Sequence, residues 1–231
     1  MKPKFRQISP LIGEFEWDAE ISDHLLQQQL AFKSLLEINY SSEILELRMG
    51  YKTLSILLST PLKELDLEKS LGSINLEKST KSLPEKIWQI PVCYSKDTGR
   101  DLEALAIAKS LSIEELINLH SQPLYRLHFY GFLPGFMYLN GLPKALNTPR
   151  KSVPDREVPI GSVAIGGSQT GIYPSSSPGG WHLIGQTPVA LFDPKLDKPV
   201  FAEVGERIEL TPITFLEFER LKRHPQHPKF R

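Results

Sequence analysis

The 231-residue chain has a single cysteine, Cys93. That scarcity excludes an internal disulfide framework and any zinc site built on several thiolates, and it fits a reducing compartment. No stretch approaches the roughly 20 apolar residues of a membrane span. The basic start Met-Lys-Pro-Lys leads to Gly13, Glu14 and Glu16 rather than to an apolar signal segment. A soluble, cytoplasmic protein with no membrane association is expected. Charge of one sign is also lacking. The 27 Lys and Arg balance 27 Asp and Glu, so no overall field would hold the chain on nucleic acid. Nothing matches G-x-x-x-x-G-K-[ST], which removes P-loop nucleotide hydrolysis. The six histidines include no H-x-x-x-H pair, and no metal site is expected.

Proline and glycine are abundant but unevenly placed. Sixteen of the 19 prolines fall at or after Pro84, and ten of the 15 glycines lie in residues 131–185. Both residues punctuate strands and turns, so the second half should be turn-rich β structure while the first half is mixed.

In the first half, Ser22 or Asp23 can cap a helix whose Ile21, Leu25, Phe32, Leu35 and Leu36 share one face. Leu45, Leu47 and Met49, then Leu54, Ile56 and Leu58, alternate with polar residues about Gly50, which reads as a hairpin. An opening strand over residues 5–17, a second helix over 62–71 and a closing strand over 87–92 complete the order β-α-β-β-α-β. A ferredoxin-like sandwich is its simplest packing. The expected division is an α+β ferredoxin-like domain over residues 1–86, a mainly-β barrel over 87–219 and a basic tail over 220–231 that frays.

In the second half, Leu102, Leu105 and Ala106 mark a helix, and Ser112 with Glu115 forms a capping box ahead of Ile113, Leu116 and Ile117. These helices would cover an open end of the barrel. Along the next strand Tyr125, Leu127 and Phe129 should point inward and Arg126, His128 and Tyr130 outward. Further strands are expected at 162–165, 189–192, 200–204 and 207–210.

Several single residues invite a chemical reading. Ser168, in the run from Gly166 to Gly171, is one residue off a G-x-S-x-G elbow and has no acid partner at a motif spacing. His24 and His120 read as helix surface. His128 and His182 flank the Gly-rich segment, where neutral imidazole can bond a ligand. Cys93, beside Pro91 and Val92, reads as a buried small hydrophobe. The two densest runs, Gly131-Phe132-Leu133-Pro134-Gly135-Phe136 and Pro178-Gly179-Gly180-Trp181-His182, either let backbone amides approach a ligand between aromatic walls or are tight barrel turns. At Gly179 and Gly180, positive φ and close approach are both expected to require glycine.

These runs also carry a resemblance. Pro91-Val92-Cys93-Tyr94, Gly131 to Phe136 with Tyr138-Leu139, Thr148-Pro149-Arg150, Val158-Pro159, Gly161-Ser162-Val163, Gln169-Thr170-Gly171-Ile172-Tyr173-Pro174 and Ser177-Pro178-Gly179-Gly180-Trp181 resemble, in order and over nearly the full length, the bacterial family of 5-oxoprolinase B subunits. That family is also described as Kip-type sensor-kinase inhibitor or allophanate hydrolase subunit 1. The resemblance implies a cyclophilin-like β-barrel for the second half, and kinship with the carboxyltransferase region of urea carboxylase. It implies partnership with a homologous C subunit and an A subunit in opening 5-oxo-L-proline to L-glutamate with ATP and Mg2+ at the level of the complex. Its alternatives are inhibition of a sensor histidine kinase and an allophanate or urea amide activity. Met137 and Gln186 depart from the family's usual proline and arginine, which leaves Arg150 or Arg126 to supply a cation. Within a composite site, the residues expected to act are Arg150 and Gln169 on the substrate's polar groups, Phe132, Tyr173 and Trp181 as walls, the backbone of Gly179 and Gly180 on developing negative charge, and His128 beside them.

Overall fold

A computed structural model describes residues 2–61, 82–223 and 228–231. The chain divides into two compact units, Met1–Leu83 and Pro84–Arg231.

In the first unit the described elements are β1 (Lys4–Ser9), β2 (Ile12–Glu16), α1 (Asp23–Asn39), β3 (Ile44–Met49) and β4 (Thr53–Leu58). They form an antiparallel sheet of order β1-β2-β4-β3. The Ser22 hydroxyl caps α1 by accepting from the Leu25 amide at 3.2 Å, which typically contributes about 1 kcal/mol. Leu25, Phe32 and Leu36 then meet Phe15, Trp17, Leu54, Ile56 and Leu58 in one core. Buried Gln29 donates to the carbonyls of Gly50 and Thr53, both at 3.2 Å, tying the helix to the β3–β4 turn.

Among the described residues of this unit the order is β-β-α-β-β, which does not by itself establish the expected ferredoxin-like sandwich. The expected opening strand is a hairpin that turns at Pro10 and Leu11, where proline cannot donate to a ladder. The expected closing strand belongs to the second unit, and the expected helix over 62–71 lies outside the described residues.

The second unit is a closed barrel of seven strands. They are β5 (Ile87–Cys93), β6 (Leu124–Tyr130), β7 (Met137–Asn140), β9 (Ser162–Gly166), β10 (Gln169–Ile172), β12 (His182–Gln186) and β13 (Arg207–Ile213). The order is β12-β9-β10-β7-β6-β13-β5, and Gln186 of β12 pairs with Cys93 of β5 to close it. The β5–β13 pair is parallel, whereas the other barrel pairs are antiparallel. Outside the wall, β8 (Asp155–Val158) and β11 (Ser177–Gly179) make a two-stranded ribbon. Ile90, Val92, Tyr125, Leu127, Ile165 and Ile208 are among the side chains that fill the barrel.

Leu102, Leu105 and Ala106 of α2 (Leu102–Ala108) and Leu116 of α3 (Ile113–Ser121) join that core. The capping box forms as the sequence indicates, with Ser112 and Glu115 each accepting from the other's amide. The apolar runs at 189–192 and 200–204 are not strands; Pro188, Pro194 and Pro199 flank them and remove ladder donors. The tail expected to fray contributes to α4 (Phe215–Arg223) and to β14 (Lys229–Phe230), which pairs with β5. Among the described residues no helix is long and apolar enough to cross a membrane.

A bulge in β6 corrects the expected alternation. Leu127 opposes Leu139 but Phe129 opposes Tyr138, so one extra residue shifts the phase. Phe129 therefore stacks on Tyr138 with centroids 4.3 Å apart, and Tyr130 packs against the barrel core with its hydroxyl on the Ala202 carbonyl. Arg126 is buried and donates to the carbonyls of Gly205, at 2.6 Å, and Pro84. Its guanidinium holds loops together and is not a cation available to a ligand.

His120 is likewise buried, not on the surface of α3 as expected. It follows Leu116 by four positions and so shares its inward face. Thr170 Oγ1 donates to the Ala164 carbonyl and can then accept from His120 Nε2, leaving Nδ1 to accept from the Tyr94 hydroxyl. Burial pushes the imidazole down to about 3, so it is neutral.

Candidate functional site

On the outer face of the barrel wall a second, smaller core gathers Phe136, Val158, Ala164, Tyr173, Trp181 and Leu183. Its rings meet edge to face. Phe136 lies 5.0 Å from Tyr173 and 5.6 Å from Trp181, and Tyr138 lies 5.9 Å from Trp181. Strand alternation explains why they share a face. Thr170 and Ile172 point into the barrel, so Gly171 and Gln169 point out, and Gly171 pairs with Tyr138 across β10 and β7. Gly166, paired with Gln169, has no side chain, and the Trp181 ring lies against it where a β-carbon would be only 2.6 Å away.

Arg150 stands over this surface. Its guanidinium carbon is 5.6 Å from the centre of the Trp181 ring, and its charge bears on the phenols of Tyr138 and Tyr173, opposing the burial that raises both. It is exposed and makes no ion pair or hydrogen bond among the described residues. Phe132 forms a rim. It is 61% exposed with φ at 64°, a left-handed conformation uncommon for a non-glycine residue and frequent where function holds it. Its ring packs edge-on to Phe136 and Tyr173.

The Arg150 segment is clamped from below. The amide of Lys151 donates to the Gly180 carbonyl at 2.8 Å, and its ammonium bridges Asp101 at 2.7 Å and Asp155 at 2.8 Å. Asp101 also accepts from the Leu183 amide, and Arg100 pairs with Asp155. Burial alone would raise the Asp155 carboxyl, but Lys151 and Arg100 hold it below the usual carboxylate range. His182 Nε2 donates to the Pro149 carbonyl at 3.0 Å, so this histidine supports the Arg150 loop.

The structure therefore brings Arg150, Gln169, Tyr173, Trp181, Gly179 and Phe132 onto one face. His128 sits at the β6 bulge and is fully buried. Neither Gly179 nor Gly180 has positive φ. Close approach does constrain Gly179, where a methyl group would overlap the Tyr173 hydroxyl, whereas at Gly180 the nearest atom would be 3.7 Å away. The Lys151 network and the roles of Phe136 and Tyr138 went unread in the sequence. The charges at 100, 101, 151 and 155 are scattered along it, and only the fold joins them.

A cavity of about 260 Å³ lies elsewhere in this unit, lined by Gln89, Pro91, Thr211, Ile213, Arg220 and Leu221 among others. Two of its polar side chains are already engaged, Arg220 with Glu217 and Gln89 with Glu209. The aromatic face, with an uncommitted guanidinium, is the better candidate. Among the described residues no cradle for a nucleoside triphosphate with Mg2+ is found. Gly166 and Gly167 turn a β-hairpin that bridges to Thr148, rather than opening a helix, and no group of acidic residues suited to a metal ion occurs among the described residues.

Residues 3–202 match the family model of the carboxyltransferase domain, subdomain C and D. The 5-oxoprolinase B subunit of Bacillus subtilis (strain 168) is 40% identical over 174 residues, which cover 74% of this chain and 71% of that protein. A crystal structure of the protein TTHA0988 superposes on 91% of this chain with a TM-score of 0.73 and 30% identity, and the chain spans 40% of its length. The Kluyveromyces lactis urea amidolyase superposes on the whole chain with a TM-score of 0.81. At 16% identity, and with 16% of that protein covered, it is a likeness of fold alone.

Proposed function

Because the chain belongs to the family of carboxyltransferase subdomains C and D and has a close relative named as a 5-oxoprolinase B subunit, we propose that it is a subunit of an ATP-dependent 5-oxoprolinase. The reaction adds water across the ring amide of 5-oxo-L-proline. The C–N bond breaks, hydroxide oxygen joins the carbonyl carbon, and the nitrogen leaves protonated as the amine of L-glutamate. The observation that carries this reading is the uncommitted Arg150 guanidinium over Trp181, a fit for a small carboxylate beside an apolar ring.

In this reading the face is half of a composite site. Arg150 holds the carboxylate, Gln169 the amide, and Phe132, Tyr173 and Trp181 exclude water. The backbone at Gly179 and Gly180 lies against the reacting carbonyl, and His128 supports the wall from the interior. In this reading ATP with Mg2+ binds elsewhere in the complex, since no cradle for it is found among the described residues of this chain. A and C subunits complete the assembly, in the cytoplasm, a setting in keeping with the lone, buried Cys93. The sensor-kinase and allophanate alternatives are not favoured, since the relative carries the oxoprolinase name.

The test is reconstitution. The purified chain alone should consume no 5-oxoproline with ATP, and adding A and C subunits should restore turnover. Turnover by the chain alone, or a reconstituted set that accepts only urea-derived amides, would overturn the reading.

A further inference from the structure

Three tyrosines packed into this unit engage their hydroxyls. Tyr94 bonds to His120 Nδ1, Tyr125 donates to the His120 carbonyl at 2.6 Å, and Tyr130 donates to the Ala202 carbonyl at 2.9 Å. Tyr173 is 2% exposed, yet its hydroxyl has no hydrogen-bond partner among the described residues. The oxygen itself is not fully enclosed: the little of Tyr173 that reaches solvent includes its O–H, which is open to a ligand on this face.

Tyr173 is also held firmly. Its ring lies edge-on to Phe136 at 5.0 Å and to Phe132 at 6.3 Å, and its hydroxyl fits against Gly179 only because that residue has no side chain. Burial, reinforced by Tyr138 and Asp155 and opposed by Arg150, pushes the phenol up to about 12. It therefore remains an O–H, and a donor, throughout the physiological range.

We propose that the Tyr173 hydroxyl determines specificity by donating to the ring carbonyl oxygen of a cyclic amide acid whose carboxylate is held by Arg150. This goes beyond a wall role for Tyr173 and rests on reading the Arg150–Trp181 face as the substrate site. A neutral donor suits a carbonyl that gains negative charge as water adds, while the permanent charge of a guanidinium suits the carboxylate. The bond to Tyr173 strengthens as the reaction proceeds, so its loss should appear mainly in kcat, and loss of Arg150 mainly in KM.

The experiment compares Tyr173→Phe and Arg150→Ala in the complex reconstituted with its partner subunits, with 5-oxoproline as substrate. Tyr173→Phe keeps the ring and removes only an oxygen that has no bond among the described residues. Its melting temperature should match or exceed that of the parent while kcat falls roughly ten- to a hundred-fold. A kcat within twofold of the parent, or a melting temperature lowered by several degrees, overturns the proposal. Parent kinetics in Tyr173→Phe alongside a raised KM in Arg150→Ala sinks the Tyr173 role alone. Parent kinetics in both variants overturns the reading of the site itself.

Discussion

The Arg150 guanidinium lies over the Trp181 ring, 5.6 Å from its centre, and Trp181 rests in turn on the bare backbone of Gly166. The cation is thus placed by an aromatic plate and not by a counter-ion, which leaves its hydrogen-bonding edge available.

Arg150→Ala should consequently raise the KM for 5-oxoproline ten- to a hundred-fold in the reconstituted complex. That matches about 1.5–3 kcal/mol for a charge-assisted hydrogen bond. The residue is exposed, so the melting temperature should change by no more than about a degree. Loss of partner binding with unaltered substrate affinity would move Arg150 from the pocket to the interface.

Gly179 and Gly180 should behave differently despite their adjacency. Alanine at 179 overlaps the Tyr173 hydroxyl and comes within 3.0 Å of Val158, whereas at 180 its methyl group has nothing nearer than 3.7 Å. Thermal unfolding should show a clear loss for Gly179→Ala and near-parent stability for Gly180→Ala. Equal losses in both would contradict the packing described.

Lys151→Met removes the ammonium shared by Asp101 and Asp155 and retains most of the stem. These side chains are 17–25% exposed, so the loss should be about 1–2 kcal/mol, below that of a fully buried pair. Chemical denaturation measures it. An unchanged midpoint would show that Arg100 suffices to hold Asp155.

His120 links stability to pH. Its folded value near 3 lies below the ordinary 6.5, so between those limits the unfolded chain binds a proton that the folded one refuses. Its contribution is complete above pH 6.5 and is lost on acidification, at up to about 1.4 kcal/mol per pH unit. His120→Gln should be less stable at pH 7.5 but lose less on going to pH 4.5. Parallel curves for parent and variant would remove His120 from that dependence.

Local rules read well from the sequence where one residue type dictates geometry. Ser22 and the Ser112–Glu115 pair mark helix starts, and the Leu54–Ile56–Leu58 alternation marks β4. What escaped was set by pairing at a distance. The hairpin at Pro10 is masked by Ile8, Leu11 and Ile12, apolar residues that the fold leaves substantially exposed. The strand at 87–93 alternates like any edge strand, and nothing local reveals that its partner is 207–213. At the site, the resemblance located Arg150, Tyr173 and Trp181 along the chain. That Tyr173 lacks a bond, and that His120 is interior, depend on neighbours far away in sequence.

The parallel pairing of β5 with β13 also sets an order of events during synthesis. Trp88 donates to Glu206, 118 positions later, and Gln89 to Glu209, 120 positions later. The first strand of the barrel must therefore wait, unpaired on that edge, until residues 207–213 have left the ribosome. The β1–β2 and β3–β4 hairpins can close within a few residues of emerging. During that interval the exposed edge of β5 is the place where a nascent chain would be most vulnerable to pairing with a neighbour, and loss of β13 would be felt first at β5, its neighbour in the barrel though far from it in sequence.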